Sequence, residues 1–149
     1  MADERATGVV AAVQRDHREI EKMLDEVEQS SGTARREAFG RLANKLKAHE
    51  EAEDKVVHPL AKDEGADEEV EHLEHEESEA SSMLSRLQKM DCDSDEFTRL
   101  FAELKQDVLH HAQEEEQEEH PRLMQETPRD ELKRREEMFE EAENEAAKP

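Results

Sequence analysis

Residues 39–60 read FGRLANKLKAHEEAEDKVVHPL, and this stretch predicts both a helix and an unusual interior. Its apolar residues recur at the spacing of one face of an α-helix. They are Phe39, Leu42, Leu46, Val56, Val57 and Leu60. At about 100° per residue, His49 and Glu53 fall in the middle of that face. The stretch therefore predicts an amphipathic helix that directs an imidazole and a carboxylate into the protein core.

Three other segments repeat this helical spacing, so the sequence predicts four long amphipathic helices. They run over about 7–29, 34–62, 68–90 and 95–125. Turn-forming clusters rich in Ser, Gly and Asp separate them at 30–33, 63–67 and 91–94. Because short loops join the helices, we expect an all-α protein whose four-helix bundle has up-down-up-down order.

Residues 128–149 follow a further break at Thr127, and Pro128 suits the first turn of a helix. The segment has few apolar anchors, which are Leu132, Met138 and Phe139. We therefore predict an additional C-terminal helix that is partly docked or fraying. The predicted division is a bundle over 1–127 and an acidic C-terminal helix or tail over 128–149.

Acidic residues dominate the composition, with 43 Asp and Glu against 21 Lys and Arg in 149 residues. The formal net charge of -22 repels the phosphates of nucleic acids and anionic membrane surfaces. We therefore predict no nucleic-acid partner and no membrane partner. The single Cys92 cannot form an internal disulfide, and the start MADERATGVV lacks the apolar run of a signal peptide. These features predict a cytoplasmic protein.

One sequence unit occurs twice, beginning at His49 and at His111. In both copies a Glu follows four residues after the His, a Pro follows ten residues after it, and a second His directly precedes the Pro. Helical phase places His111 and Glu115 on the core face of their helix, as it does His49 and Glu53. It also places His17 near the core face of the first helix. Three helices thus direct polar side chains towards one interior site.

Two carboxylates inside a thin core need a strong partner, because burying an unpaired charge costs several kcal/mol. A metal cation is the simplest partner, and the alternative is a set of internal His–Glu pairs in a purely structural bundle. Imidazole and carboxylate ligands without a thiolate suit iron, manganese or zinc. Two His-x-x-x-Glu pairs describe a two-metal site, and an imidazole-rich site within a bundle favours iron.

These motifs resemble the hemerythrin-like family, also called the HHE cation-binding domain. The resemblance covers about residues 9–125 and depends on Asp16-His17-Arg18-Glu19-Ile20, His49-x-x-x-Glu53 with Pro59, and His111-x-x-x-Glu115 with Pro121. It implies a four-helix bundle with two non-haem iron ions. It also implies that His17, His49 and His111 bind iron terminally, whereas Glu53 and Glu115 bridge the two ions.

The third helix departs from the family pattern. Alignment of its apolar residues puts Glu77 where the family has a histidine. The nearby candidates are His72 and Glu76, which are one turn apart near the apolar face. His75 points away from that face but competes with them, since family members often carry a Glu-His pair here. His58, His110 and His120 are interpreted as residues on the solvent side.

The resemblance implies a protein that binds or reduces a small oxidant, such as O2, peroxide or NO. The main alternative is a non-enzymatic module that binds or senses iron, with stability tied to metal occupancy. The sequence alone leaves both functions open.

Overall fold

A computed structural model describes residues 6–147, and every regular element in that range is helical. The elements are α1 (Gly8–Gln29), α2 (Gly32–Ala52), π1 (Glu53–Val57), α3 (His58–Asp63), α4 (Asp67–Gln88), α5 (Asp95–Glu114), π2 (Glu115–Glu119), α6 (His120–Glu126) and α7 (Arg129–Ala146). The all-α prediction is confirmed, and the up-down-up-down order stays a prediction. Within the same range, no helix combines the length and the apolar character needed to cross a membrane.

The helix boundaries follow local chemistry. α1 ends at Gln29, and the extended backbone of Ser30 and Ser31 separates it from α2. α5 begins after Ser94, whose hydroxyl accepts a hydrogen bond from the Phe97 N–H at 3.1 Å and so caps the helix. Acidic residues in the first turns of α4 and α5 also favour these starts, because the helix dipole is positive there. The breaks therefore lie at the predicted turn clusters.

The predicted second and fourth helices each contain one π-helical turn. The backbone N–H of His58 donates to the Glu53 carbonyl, and that of His120 donates to the Glu115 carbonyl, both five residues back. Proline follows directly in both cases, at Pro59 and Pro121. A proline ring clashes with the carbonyl four residues before it in an α-helix, and a wider turn relieves that clash. The repeated unit in the sequence is thus a repeated helix defect.

Two apolar layers fill the bundle, with polar side chains between them. The first layer lies at the end formed by the α1–α2 and α4–α5 connections and includes Leu24, Leu42 and Phe97. The second layer lies near the π segments and includes Val13 and Leu123. Along α1, for example, the buried His17 falls between the second layer at Val13 and the first layer at Ile20, also buried. The sequence order along each helix therefore places the polar residues at one level of the bundle.

The C-terminal helix α7 packs against α1 and α2. Leu132 and Phe139 are fully or almost fully buried, at 2% and 0% exposure, and Ala142 is also buried. Burial of each large apolar side chain contributes about 1.5–3 kcal/mol. The predicted additional C-terminal helix is therefore confirmed, and it is docked rather than fraying, because its few anchors are spaced to lie on one face of α7. The division at residue 127 stays a prediction.

Two glycines provide a matched test of the α1–α7 packing. Gly8 and Gly32 both have a φ of +59°, so alanine at either position costs about 1–2 kcal/mol for the left-handed conformation. An added Cβ at Gly8 lies 2.5 Å from the Leu132 carbonyl group, whereas at Gly32 it meets no atom within 4 Å. We expect Gly8→Ala to lower the free energy of unfolding by about 1–3 kcal/mol more than Gly32→Ala does. Urea denaturation followed by circular dichroism measures the difference, and equal losses would contradict the close approach of α7.

Candidate metal centre

A set of histidine and glutamate side chains occupies the level between the two apolar layers, and we call it the buried cluster. Its members are His17, His49, Glu53, His58, Glu77, His111, Glu115, Glu119 and His120. Glu53 and Glu115 have no exposed surface. Five predicted ligands therefore lie together, namely His17, His49, Glu53, His111 and Glu115. Their role in binding metal stays a prediction.

Glu53 and Glu115 connect two halves of the buried cluster. One group of four potential ligands consists of His17, His49, Glu53 and Glu115. A second group consists of Glu53, His58, Glu115 and Glu119. Within each group the nitrogen and oxygen atoms lie within 4.8 Å of one another. Two adjacent groups that share two carboxylates have the arrangement needed for two bridged cations.

The Nε2 atoms of three histidines face these shared carboxylates. His17 Nε2 lies 3.0 Å from Glu115 Oε1, and His49 Nε2 lies 2.6 Å from Glu53 Oε1. His111 Nε2 lies 3.5 Å from Glu115 Oε2. The two His-x-x-x-Glu units therefore bring their members together across one helical turn.

The opposite nitrogen of each ring is held by another carboxylate. His49 Nδ1 lies 2.7 Å from Asp16 Oδ2, and His17 Nδ1 lies 2.7 Å from Glu116 Oε2. His111 Nδ1 lies 2.9 Å from Glu76 Oε1. When Nδ1 donates its proton to a carboxylate, the ring is fixed and the Nε2 lone pair faces inward. Metal-binding histidines are usually supported in this way.

The imidazoles and carboxylates of the buried cluster shift one another's pKa values. Burial opposes protonation of His49, but the carboxylates of Glu53 and Asp16 outweigh burial and raise its pKa well above the ordinary value. Burial and the neighbouring Glu115 carboxylate raise the pKa of Glu53. Both shifts favour the protonated forms, because a proton reduces the negative charge that the cluster buries.

Several buried atoms of the cluster have close charged neighbours at most and no hydrogen bond of suitable geometry, and they test whether a metal fits. Among the residues that the structure describes, neither oxygen of Glu53 or Glu115 has a hydrogen-bond partner of suitable geometry. The same holds for the Nε2 atoms of His49, His111 and His120. Unsatisfied buried polar groups cost about 1–3 kcal/mol each. A pair of cations would bind these inward-facing atoms, so the residues fit a two-metal centre.

The third long helix, α4, contributes Glu77 to the buried cluster. Glu77 is buried, and its Oε1 lies 2.7 Å from His58 Nε2 and 3.9 Å from His111 Nε2. The side chains of His72 and His75 are 58% and 72% exposed, so the structure does not bring them into the cluster. Val70, Leu73, Glu77 and Ala80 define the buried face of α4. That spacing was the signal that could have identified Glu77.

The placement of Glu76 also differs from the expectation that it would join the ligands. Its Oε1 contacts His111 Nδ1 rather than the interior of the cluster, so it orients an imidazole from outside. The expectation that His72 lies near the core face is wrong, because the phase of α4 turns it towards solvent. His75 points away from the core, as its helical phase indicated.

The expectation that His58 and His120 face solvent is wrong. They are 1% and 2% exposed. The expectation assumed about 100° per residue over nine residues, but π1 and π2 put more residues into one turn and thereby rotate both rings inward. His110, in contrast, has 64% of its side chain exposed, as expected. The His-Pro pairs of the sequence repeat were the available signal for these two buried rings.

A cavity of about 200 Å³ leads from the surface to the buried cluster. Its inner part is lined by His17, His49, Glu77 and His111. Its walls include Ile20, Leu46, Ala80 and Val108, and its outer part includes the exposed His72, His75 and His110. A small molecule or an ion can therefore approach the cluster between α1, α2, α4 and α5.

Substitution of Glu77 tests whether α4 contributes a metal ligand. If Glu77 binds metal, Glu77→Ala should reduce the tightly held ions from about two to about one per chain. His75→Ala is the matched control, since His75 lies on the same helix but is exposed. Elemental analysis after dialysis measures the number of metal ions per chain in both variants. If Glu77→Ala kept all its metal and His75→Ala lost metal, His75 rather than Glu77 would be the ligand that α4 contributes.

Metal binding should also release protons, because a ligating imidazole must be neutral. Burial opposes charge on His58 and His111, but Glu119 and Glu77 raise the pKa of His58 to about 12, and Glu115 raises that of His111 to about 11. The metal-free protein holds both protons at neutral pH, so we expect release of about two protons or more, and weaker binding as the pH falls. Calorimetric titration with Zn²⁺ in buffers of different ionisation enthalpy counts them. A binding enthalpy that is the same in every buffer would contradict this expectation.

The chain is similar to a curated protein and to a known protein family. A DNA nickase from Nostoc sp. is 25% identical over 116 residues, which are 77% of this chain and 33% of the relative. The chain therefore spans about a third of the length of that curated relative. No solved structure matches the chain. The Hemerythrin HHE cation binding domain matches residues 3–123, most of the sequence, and the protein belongs to this family.

Proposed function

We propose that this protein is a cytoplasmic non-haem di-iron protein that binds or reduces a small oxidant, such as O2, peroxide or NO. The observation that carries the proposal is the pair of ligand groups that share Glu53 and Glu115. A bridged pair of cations is the arrangement that uses both groups at once. Membership of a cation-binding family supports the same reading.

The chemistry of the ligands favours iron. The buried cluster supplies imidazoles and carboxylates, which suit iron, manganese or zinc. Cys92, the single thiol of the chain, packs in the first apolar layer with Phe97, away from the cluster. His17, His49 and His111 would hold the ions through Nε2, and Glu53 and Glu115 would bridge them. The predominance of imidazole favours iron over the harder manganese.

The cavity supports a small oxidant as the ligand. Bound iron would supply electrons and an open coordination position. Ile20, Leu46, Ala80 and Val108 present apolar walls, which favour a small, weakly hydrated molecule over a charged metabolite. His17, His49 and His111 line the inner part of the cavity, so a molecule that reaches it contacts the proposed iron ligands.

A non-enzymatic iron-binding or iron-sensing module is the second candidate. The observation that favours it is the set of buried carboxylate oxygens without hydrogen bonds. Metal occupancy would remove their mutual repulsion and stabilise the bundle, so that the folded population would follow the iron concentration. This function needs no reaction with an oxidant.

The relation to the Nostoc protein gives no support for a function on nucleic acid. That protein is called a DNA nickase, but the shared region covers 33% of it. The net charge of -22 on this chain opposes contact with a phosphate backbone. We therefore propose that the protein binds neither nucleic acid nor a membrane.

Iron content and absorption spectra test the proposal. After anaerobic loading with Fe²⁺ and removal of weakly held iron by desalting, we expect about two tightly held irons per chain. Exposure of the reduced protein to O2 or peroxide should change its absorption, because the oxidant reaches the iron. A persistent, reversible band would indicate binding, whereas rapid conversion to a ferric spectrum would indicate reduction. His49→Ala/His111→Ala should lose iron and this response, and His75→Ala should keep both.

Two outcomes distinguish the candidate functions. Folded protein that takes up no iron would remove both of them. Two irons per chain with no spectral response to O2, peroxide or NO would favour the iron-binding module. In that case thermal unfolding should still shift upward on iron binding.

A further inference from the structure

A second group of histidines and glutamates lies at the outer end of the cavity, and we call it the surface cluster. It consists of His72 and Glu76 from α4 and His110 and Glu114 from α5. His72 Nε2 lies 3.1 Å from Glu114 Oε2 and 3.5 Å from Glu76 Oε2. His110 Nε2 lies 2.5 Å from Glu114 Oε1. Two imidazoles therefore converge on one carboxylate.

The donor atoms of the surface cluster suit a divalent metal. The ligand atoms of His72, Glu76 and Glu114 lie within 4.8 Å of one another. Two imidazoles and two carboxylates are a donor set for Zn²⁺, Fe²⁺ or Mn²⁺. The two histidines have 58% and 64% of their side chains exposed, so an ion from solvent meets this cluster without passing through the protein.

A neighbouring pair shows how the cluster differs from an ordinary surface ion pair. His75 Nε2 lies 2.8 Å from Glu79 Oε1, one turn further along the same helix. That contact is confined to α4. The surface cluster instead joins α4 to α5 through the His72–Glu114 contact. The surface cluster therefore draws its donors from two neighbouring helices, as metal sites in helical bundles do.

The surface cluster is also connected to the buried cluster. Glu76 contacts His72 through Oε2 and His111 through Oε1, at 3.5 Å and 2.9 Å. His72, Glu76 and His110 line the same cavity as His17, His49 and His111. An ion bound at the surface cluster therefore lies one side chain away from His111, with a cavity leading inward.

From these contacts we infer that His72, Glu76, His110 and Glu114 form a second, exposed site for a divalent cation, from which metal loads the buried cluster. The high negative charge of the chain concentrates cations at its surface. The loading role rests on the proposed buried metal centre, whereas the surface site does not.

The surface site is tested by equilibrium titration of the full chain with Zn²⁺. His72→Gln/His110→Gln should bind about one ion fewer per chain than the unsubstituted protein, because two of four donors are lost. His75→Gln is the matched control and should bind the full number. Circular dichroism checks that each variant is folded. Identical isotherms for the double variant and the unsubstituted protein would refute the surface site.

The loading role is tested by the rate of Co²⁺ uptake, which visible absorption follows. At micromolar Co²⁺, we expect His72→Gln/His110→Gln to fill the buried centre roughly 10-fold more slowly, since the local cation concentration falls. The final occupancy of the buried centre should not change. An unaltered rate would overturn the loading role.

The two tests also separate this inference from the proposed function. Suppose that the unsubstituted chain binds one ion and that His72→Gln/His110→Gln binds none. The buried metal centre then fails, and the surface site stands. If the buried centre fills in every variant at one rate and no ion is lost, the surface site and its loading role fail while the buried centre stands.

Discussion

The burial of Glu53 and Glu115 is the constraint on which the rest of this structure depends. Both carboxylates have no exposed surface, and the layers above and below them are built from aliphatic side chains and a few phenylalanines. If both were ionised, their negative charges would repel each other strongly in this interior; burial and this repulsion raise the pKa of Glu53. The surrounding imidazoles reduce that repulsion, and a pair of cations would remove it. The bundle therefore separates its apolar side chains into two layers and leaves one level for charge.

The π-helical segments determine which side chains reach that level. Each begins at one of the two buried glutamates and ends directly before the second histidine of the sequence repeat. The wider turn accommodates Pro59 and Pro121, and it also rotates His58 and His120 towards the interior. One backbone defect thus supports several ligands of a single site. This explains why histidine and proline occur together in both copies.

Contacts outside the buried cluster hold its histidines in place. Asp16 accepts from His49 and is itself bound by Lys45 at 2.9 Å. Helix α7 completes this support, since the ring of Phe139 packs edge-on against His49 with centroids 5.8 Å apart. Arg135 of the same helix donates to the Val56 carbonyl in π1 at 2.8 Å. The C-terminal helix therefore stabilises both an imidazole and the backbone segment next to it.

The sequence by itself determined the helical class, the helix breaks and the core position of two His-x-x-x-Glu units. Periodicity carries this information because a regular α-helix repeats every 3.6 residues, so spacing alone predicts which side chains share a face. The positions of His17, His49, Glu53, His111 and Glu115 follow from that rule. The same rule could have placed Glu77 on the core face through the spacing of Val70 and Ala80, but the prediction favoured His72 and Glu76.

Only the tertiary structure decided the positions of His58, His120 and helix α7. A π turn breaks the regular rotation, so extrapolation of helical phase past residue 53 or 115 turns a side chain to the wrong side. Docking of α7 depends on a surface that α1 and α2 create jointly, which no pattern within residues 128–149 reveals. The same holds for the convergence of His72 with Glu114, since the two residues are brought together by packing between separate helices.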